Sequence, residues 1–351
     1  MPCACLLASV LVCASLAGTP QQEVKRTPPE VDRVPAYLGL VDQFNRVSAA
    51  KVSEALAAWD PAAVRQAVES LVRSDRVAPR AVLMELHTAL LSLQQGRREI
   101  GDLHLELAMK LSQDPARVKR DRAFYEPFYL LLSSVYQRQW RLPPAAGVLN
   151  YAVKVFPENI DARITLGAIS EAAASRQGQL MSGGASWPEW LLDRKVNLLR
   201  AEDTYRRVLE TERNNDEAAV RLATVLYALR EIDKAKTLAR EVELRTDDKF
   251  LRYMTAMLLG RIALDAGNHD AAIEQYGYAT RLFPQSQAAF VALSHARMLL
   301  GNIDDAARTV QDMLDQSAAK TDDDDPWWQY DFGQVRHFSA LMERLWVTAF
   351  N

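Results

Sequence analysis

From Tyr37 almost to Asn351 the chain places apolar residues at spacings of i, i+3, i+4 and i+7, the period of a helix with one buried face. The same stretches are dense in Ala, Leu, Arg and Glu and poor in β-branched runs, so residue propensity agrees with the pattern. Both predict an all-α fold. Helix starts are marked at Asp60-Pro61, Asp114-Pro115 and Asp325-Pro326. In each, the carboxylate can cap free backbone N–H groups, and the proline sits in the first turn, where its missing N–H costs nothing. Breaks are predicted at Gly96, Gly267 and Gly301. Ahead of the helical pattern, residues 18–36 are rich in Pro, Gln and charge and read as a flexible linker.

The helical pattern also repeats itself. Residues 253–286 contain Ala256-Met257-Leu258-Leu259-Gly260, then Gly267-Asn268, then Ala272, Tyr276, Ala279 and Pro284. One period of about 34 residues further on, 287–320 sets Phe290, Leu293, Ser294, Gly301, Ala306 and Met313 in the same slots, with Ala318 where the proline stood. Moving backward, 216–249 carries Ala219, Leu222, Ala223, Ala235 and Val242, and 126–159 carries Tyr129, Leu132, Ser133, Tyr136, Ala145, Ala152 and Pro157. The span 160–215 opens with Leu166-Gly167 and resumes with Ala201, Tyr205 and Val208, as one unit with an insertion at about 172–199. A weaker unit at about 82–115 has Ala89, Gly96, Gly101, Leu105 and Ala108, with Thr88 in the leucine slot.

In these residues and this spacing the chain resembles the tetratricopeptide repeat family. The resemblance implies a right-handed superhelical solenoid of antiparallel helix pairs with helical caps. The repeats cover 126–320, with five units, the second of them carrying the insertion; 37–125 supplies N-terminal helices that include the weaker unit, and 321–351 a C-terminal capping helix. The small residues at Gly260 and Ala272 then allow close helix approach, and Tyr276 and Phe290 are core.

A solenoid of this family exposes a concave groove lined by the first helix of each unit, and mapping its groove positions onto this sequence gives the partner-binding candidates. They include Arg138 and Glu171 in the early units, Tyr227 in the next, Met257 and Arg261 after it, and His295 and Met298 in the last. Methionine and aromatic surface beside isolated charges suits a helix or an extended peptide. Family members that clamp a C-terminal carboxylate use Lys and Asn at groove positions where this chain has apolar residues such as Ile164, Val220 and Met257, so that clamp is not expected. Within the insertion, Gly183-Gly184 precedes Trp187 and Trp190, which either pin the insertion to the body or face a partner.

Other chemistry finds little support. The 42 basic and 45 acidic residues are interspersed and the net charge is −3, which leaves no basic footprint for nucleic acid. His87, His104, His269, His295 and His337 lack zinc-ligand spacing, and Asp322–Asp325 lacks the alternation of a calcium loop, so neither metal nor cofactor is expected. No nucleophile elbow, phosphate loop or dinucleotide fingerprint is present, and the chain is read as not an enzyme.

Residues 1–17 read as a secretory signal peptide. The run Ala4–Ala17 is apolar and ends in small residues suited to cleavage after Ala17, although Met1-Pro2-Cys3 has no Lys or Arg. Cys3, Cys5 and Cys13 all fall inside it, and Cys13 follows Val12 where a lipoprotein signal needs a small residue. No later segment has the apolar length of a transmembrane helix. The sequence therefore leads to an exported, periplasmic or extracellular protein that acts as a scaffold or adaptor and binds a protein or peptide in its groove. The alternatives are a structural subunit of an envelope assembly, and an enzyme on a helical-repeat frame using groove acids such as Glu171 and Asp265.

Overall fold

The computed structural model describes residues 79–182, 188–317 and 325–350, except 332, 334 and 337. All of these lie in one compact unit, Asp75–Asn351. The expectations for the signal peptide, the linker, residues 37–78, Asp60-Pro61, His337 and Trp187 fall outside the described residues, as does the side chain of Trp190.

Every regular element described is a helix. The first pair is α1 (Pro79–Gln94) and α2 (Arg98–Leu111); a short α3 (Pro115–Arg120) leads to the second, α4 (Arg122–Arg138) and α5 (Leu142–Val155). After α6 (Ile160–Ala174) come two short insertion helices, α7 (Arg176–Ser182) and α8 (Glu189–Leu192), before α9 (Arg194–Thr211) completes the third pair. The remaining pairs are α10 (Asp216–Ala228) with α11 (Ile232–Arg245), α12 (Lys249–Asp265) with α13 (His269–Leu282), and α14 (Gln287–Leu299) with α15 (Ile303–Ser317). A closing segment holds α16 (Pro326–Asp331) and α17 (Phe338–Phe350). The two helices of each pair pack antiparallel, and from the second pair onward each second helix also packs on the first helix of the next pair.

Local chemistry sets the helix boundaries. Asn159, Asn215 and Ser286 start α6, α10 and α14 by accepting the N–H of Ala162, Ala218 and Ala289. Asp114 does the same for Ala116 and Arg117. The turn inside a pair needs one residue in the left-handed region. Gly96, Gly267 and Gly301 fill it with φ of 74°, 75° and 89°, and Trp140 and Arg230 take it at 57° and 70°.

Packing follows from the small residues. A Cβ on Gly260 would lie 2.6 Å from the Tyr276 ring, and one on Gly167 would lie 2.6 Å from the Tyr205 ring. The same glycine–tyrosine contact therefore closes the third and fifth pairs. Between the first pairs, Phe124, Tyr125, Phe128 and Tyr129 are fully buried edge-to-face and stacked, and the Tyr129 hydroxyl donates to the Ser112 carbonyl at 2.6 Å.

The closing segment departs from the expected cap. Instead of covering the sixth pair, α17 packs on α4 and α1 at the opposite end of the array. Asp325 anchors its start at α14, accepting from the Ser286 hydroxyl and the Ala288 N–H while capping α16 through Trp327 N–H. The turn at Gly333, with φ of 63°, then redirects the chain. Leu345 and Ala349, four residues apart on one face of α17, are buried. Those apolar positions suit a docked helix wherever it docks, so the sequence pattern alone did not separate an end cap from this placement.

Candidate functional site

The first helices of the pairs, α1, α4, α6, α10 and α12, touch in succession and present one continuous face. Residues 325–350 run along that face from the sixth pair to the first. Trp327 and Tyr330 join the apolar cluster that contains Met257, Leu293 and Ala296. The Tyr330 hydroxyl donates to Thr224 Oγ1 at 2.8 Å, and the Arg221 guanidinium lies 4.4 Å from the Tyr330 ring centroid. Gly333 sits so close to α6 that an added Cβ would be 2.9 Å from the Ala168 carbonyl oxygen, and its own carbonyl accepts from Gln137 Nε2 at 3.0 Å.

Beyond this turn the contacts become ionic. Arg336 donates to Asp248 Oδ2 at 2.5 Å, lies 3.7 Å from Glu217 Oε2, and covers the Phe250 ring at 4.6 Å. Asp248 also caps α12 through its other oxygen, so one carboxylate both starts the helix and receives the segment. The Arg336 guanidinium and the α12 N–H groups hold its carboxyl below the ordinary range against burial, which acts to raise it. Arg138 covers the Phe338 ring at 4.7 Å, and Arg80 Nε donates to the Ala349 carbonyl at 2.7 Å.

A charged network lies beneath Tyr330. Arg221 is 2% exposed and pairs with Glu171 at 3.3 Å and Glu217 at 3.2 Å, while the Tyr205 hydroxyl donates to Glu171 at 2.9 Å. Burial raises the Glu171 carboxyl, with Arg221 and the tyrosine hydroxyls acting in the opposite direction. The closing segment brings a second acid to this place. Asp331 is pushed up to about 6 by burial first and by Glu171 next, with Arg261 opposing.

The predicted site residues divide clearly. Arg138, Glu171 and Met257 lie against the closing segment, and Arg261 acts on Asp331. Tyr227 is mostly buried, donates to Asp265 at 2.5 Å and stacks under Arg261, so its hydroxyl and Asp265 are already paired. His295 and Met298 stand on α14, and Met298 is half exposed. The two acids considered as catalysts, Glu171 and Asp265, are each held by side chains of the array. Sequence reasoning missed Arg221, Asp248 and Glu217, because the groove slots of the repeat do not include them, and it missed Tyr330, Gly333 and Arg336 as groove contacts. The signal for the last three was present in the Gly333 break before the amphipathic run 338–350.

Among the described residues no helix is long and apolar enough to cross a membrane. No curated protein sequence matches the chain. Solved structures with similar helical arrangements include a tetratricopeptide repeat protein from Parabacteroides merdae, at 12% identity, covering 87% of this chain and 99% of that one, with a TM-score of 0.47. A thermophilic tetratricopeptide protein from Thermus thermophilus shares 18% identity over 62% of this chain and 99% of its own, with a TM-score of 0.43. MamA from Desulfovibrio magneticus shares 16% over 56% and 97%, with a TM-score of 0.39. Residues 263–329, which run from α12 through the last two pairs into α16, match the tetratricopeptide repeat family model.

Proposed function

We propose that the chain is a binding scaffold without catalytic chemistry that takes a segment of another protein along the face of its first helices. The observation that supports this reading is that the face already receives a polypeptide: residues 325–350 lie on it through aromatic, ionic and backbone contacts to helices of every pair. Arg138, Glu171, Met257 and Arg261 are the contact residues on this reading, with Tyr227 setting the position of Arg261. An exported chain cleaved after Ala17, working in the periplasm or outside the cell, completes the proposal.

Site-specific photo-crosslinking tests it. A crosslinking amino acid at 261, on the first-helix face, should trap a discrete partner in the cells that make the protein. The same group at Leu244, 87% exposed on α11, should not. Equal trapping from both positions, or trapping from 244 alone, would remove the face from consideration.

One observation favours a second reading, a structural subunit that assembles through the sixth pair. With the closing segment drawn into the first-helix face, Met298 and Ile303 stand 50% and 60% exposed on α14 and α15. Concentration-dependent mass in solution that is abolished by Ile303→Asp would support assembly; a monomer at all concentrations would end that reading.

A further inference from the structure

The closing segment fits its site imperfectly, and the misfits are specific. Asp331 sets a carboxylate beside the buried Glu171, where like charges oppose one another. On α4 beneath the Gly333 turn, Gln137 Oε1 and Ser134 Oγ are buried without a hydrogen-bond partner. Between the segment and α4, α6 and α10 a pocket of about 350 Å³ stays partly open to solvent, lined by Ala340 and Leu341 beside Asp161, Glu217, Arg336 and Arg344. Each misfit has a local remedy: a neutral side chain at Asp331, a donor toward Gln137, a larger apolar side chain at Ala340. The good contacts are equally specific, since Thr224 and Arg221 receive a tyrosine, and Asp248 with Glu217 receives an arginine six residues further along.

We infer that residues 325–350 are an internal, displaceable ligand, and that the outside partner is a protein segment bearing a tyrosine and, past a tight turn, an arginine six residues on, without the acid that follows the tyrosine here. This rests on the reading of the first-helix face as a peptide site. The partner binds only by expelling the internal segment. Tethering raises the local concentration of a linked ligand to roughly millimolar, so a free copy of the same sequence competes at a disadvantage of about 10²- to 10³-fold.

The test uses two fluorescent synthetic peptides against the full chain: the native 325–350 sequence, and the same sequence with Asp331→Asn and Ala340→Leu. The opened chain carries Tyr330→Ala and Arg336→Glu, which weaken the tethered segment without changing the six pairs. A second opened chain, Gly333→Ala, acts through the backbone of the turn and removes no side-chain contact. Circular dichroism confirms that both retain the array, and amide exchange confirms that the segment has left. On this inference the native peptide binds either opened chain about 10²- to 10³-fold more tightly than wild type. The altered peptide binds every form more tightly than the native one. Equal binding of the native peptide to wild-type and opened chains would show that the segment does not guard the face, and would overturn the inference while leaving the peptide site standing. Failure of both peptides to bind a chain whose segment has left would overturn the peptide site itself.

Discussion

Substituting Gly333 by alanine isolates the docking of the closing segment from the stability of the array. The residue has φ of 63°, where an L side chain costs about 1–2 kcal/mol. The new Cβ would meet the Ala168 carbonyl oxygen at 2.9 Å and its carbonyl carbon at 3.0 Å. These are backbone atoms of α6 and cannot turn aside, so overpacking adds about 1–3 kcal/mol. Alanine also stiffens the released segment, which returns up to about 1 kcal/mol to the docked state. A net loss of about 1–5 kcal/mol lowers the ratio of docked to released forms by roughly 5- to 5000-fold. Amide exchange in α17 reads this ratio, because a helix of 13 residues is marginal in water by itself and loses its protection once released. The melting of the six pairs should change far less than the exchange of α17. Unchanged protection over 338–350 in the variant would refute the argument, since neither the backbone cost nor the collision could then be real.

Three further outcomes follow from the same contacts. Arg221→Met leaves Glu171 buried without its cation and should cost about 3–5 kcal/mol in urea unfolding. Much of that should return when Glu171→Gln is added, and a double variant as unstable as the single would contradict the pairing. Gly260→Ala drives a Cβ to 2.6 Å from the Tyr276 ring and should lower stability by about 1–3 kcal/mol, with partial rescue by Tyr276→Leu. Docking of the closing segment should tighten as pH falls from 7 to 5. Asp331 has its carboxyl raised to about 6 when docked, so the docked state holds more protons than the released one between about 4, the usual value for Asp, and 6, and docking weakens as pH rises through that window. Asp248 works the other way, its lowered carboxyl withdrawing support only as pH falls below the ordinary range. Peptide competition against pH measures the effect, and Asp331→Asn should flatten it.

The repeats were legible because each carries several constraints at once. Gly260 with Tyr276, and Gly167 with Tyr205, are pairs in which the small residue exists to admit the ring, and such couplings leave a fixed spacing in the sequence. The intra-pair turn was legible only where glycine marked it. At Trp140 and Arg230 the same left-handed conformation is imposed by the flanking helices on residues that do not advertise it. The sequence placed Arg138, Glu171, Met257 and Arg261 on the first helices, and the closing segment lies along that face. What occupies that face was not readable, because an amphipathic helix states that it has an apolar side and not which surface will cover it. Arg221 was hidden for a related reason, since one arginine among many interspersed charges gives no sign that it will be buried beneath a tyrosine from a segment more than a hundred residues away.

The placement of α17 alters how the array should come apart. In a stack of repeats where each unit meets only its neighbours, unfolding can fray from either end and the middle survives alone. Here the Arg80 side chain on α1 donates to the Ala349 carbonyl, 269 positions away in the chain, so the first pair and the closing segment share a hydrogen bond. That contact raises the mean sequence separation of interacting residues and slows folding, because the segment can find its place only after every first helix is in line. While docked, the segment ties the two ends of the array together, and once it is released each pair meets only its neighbours, as in an ordinary solenoid.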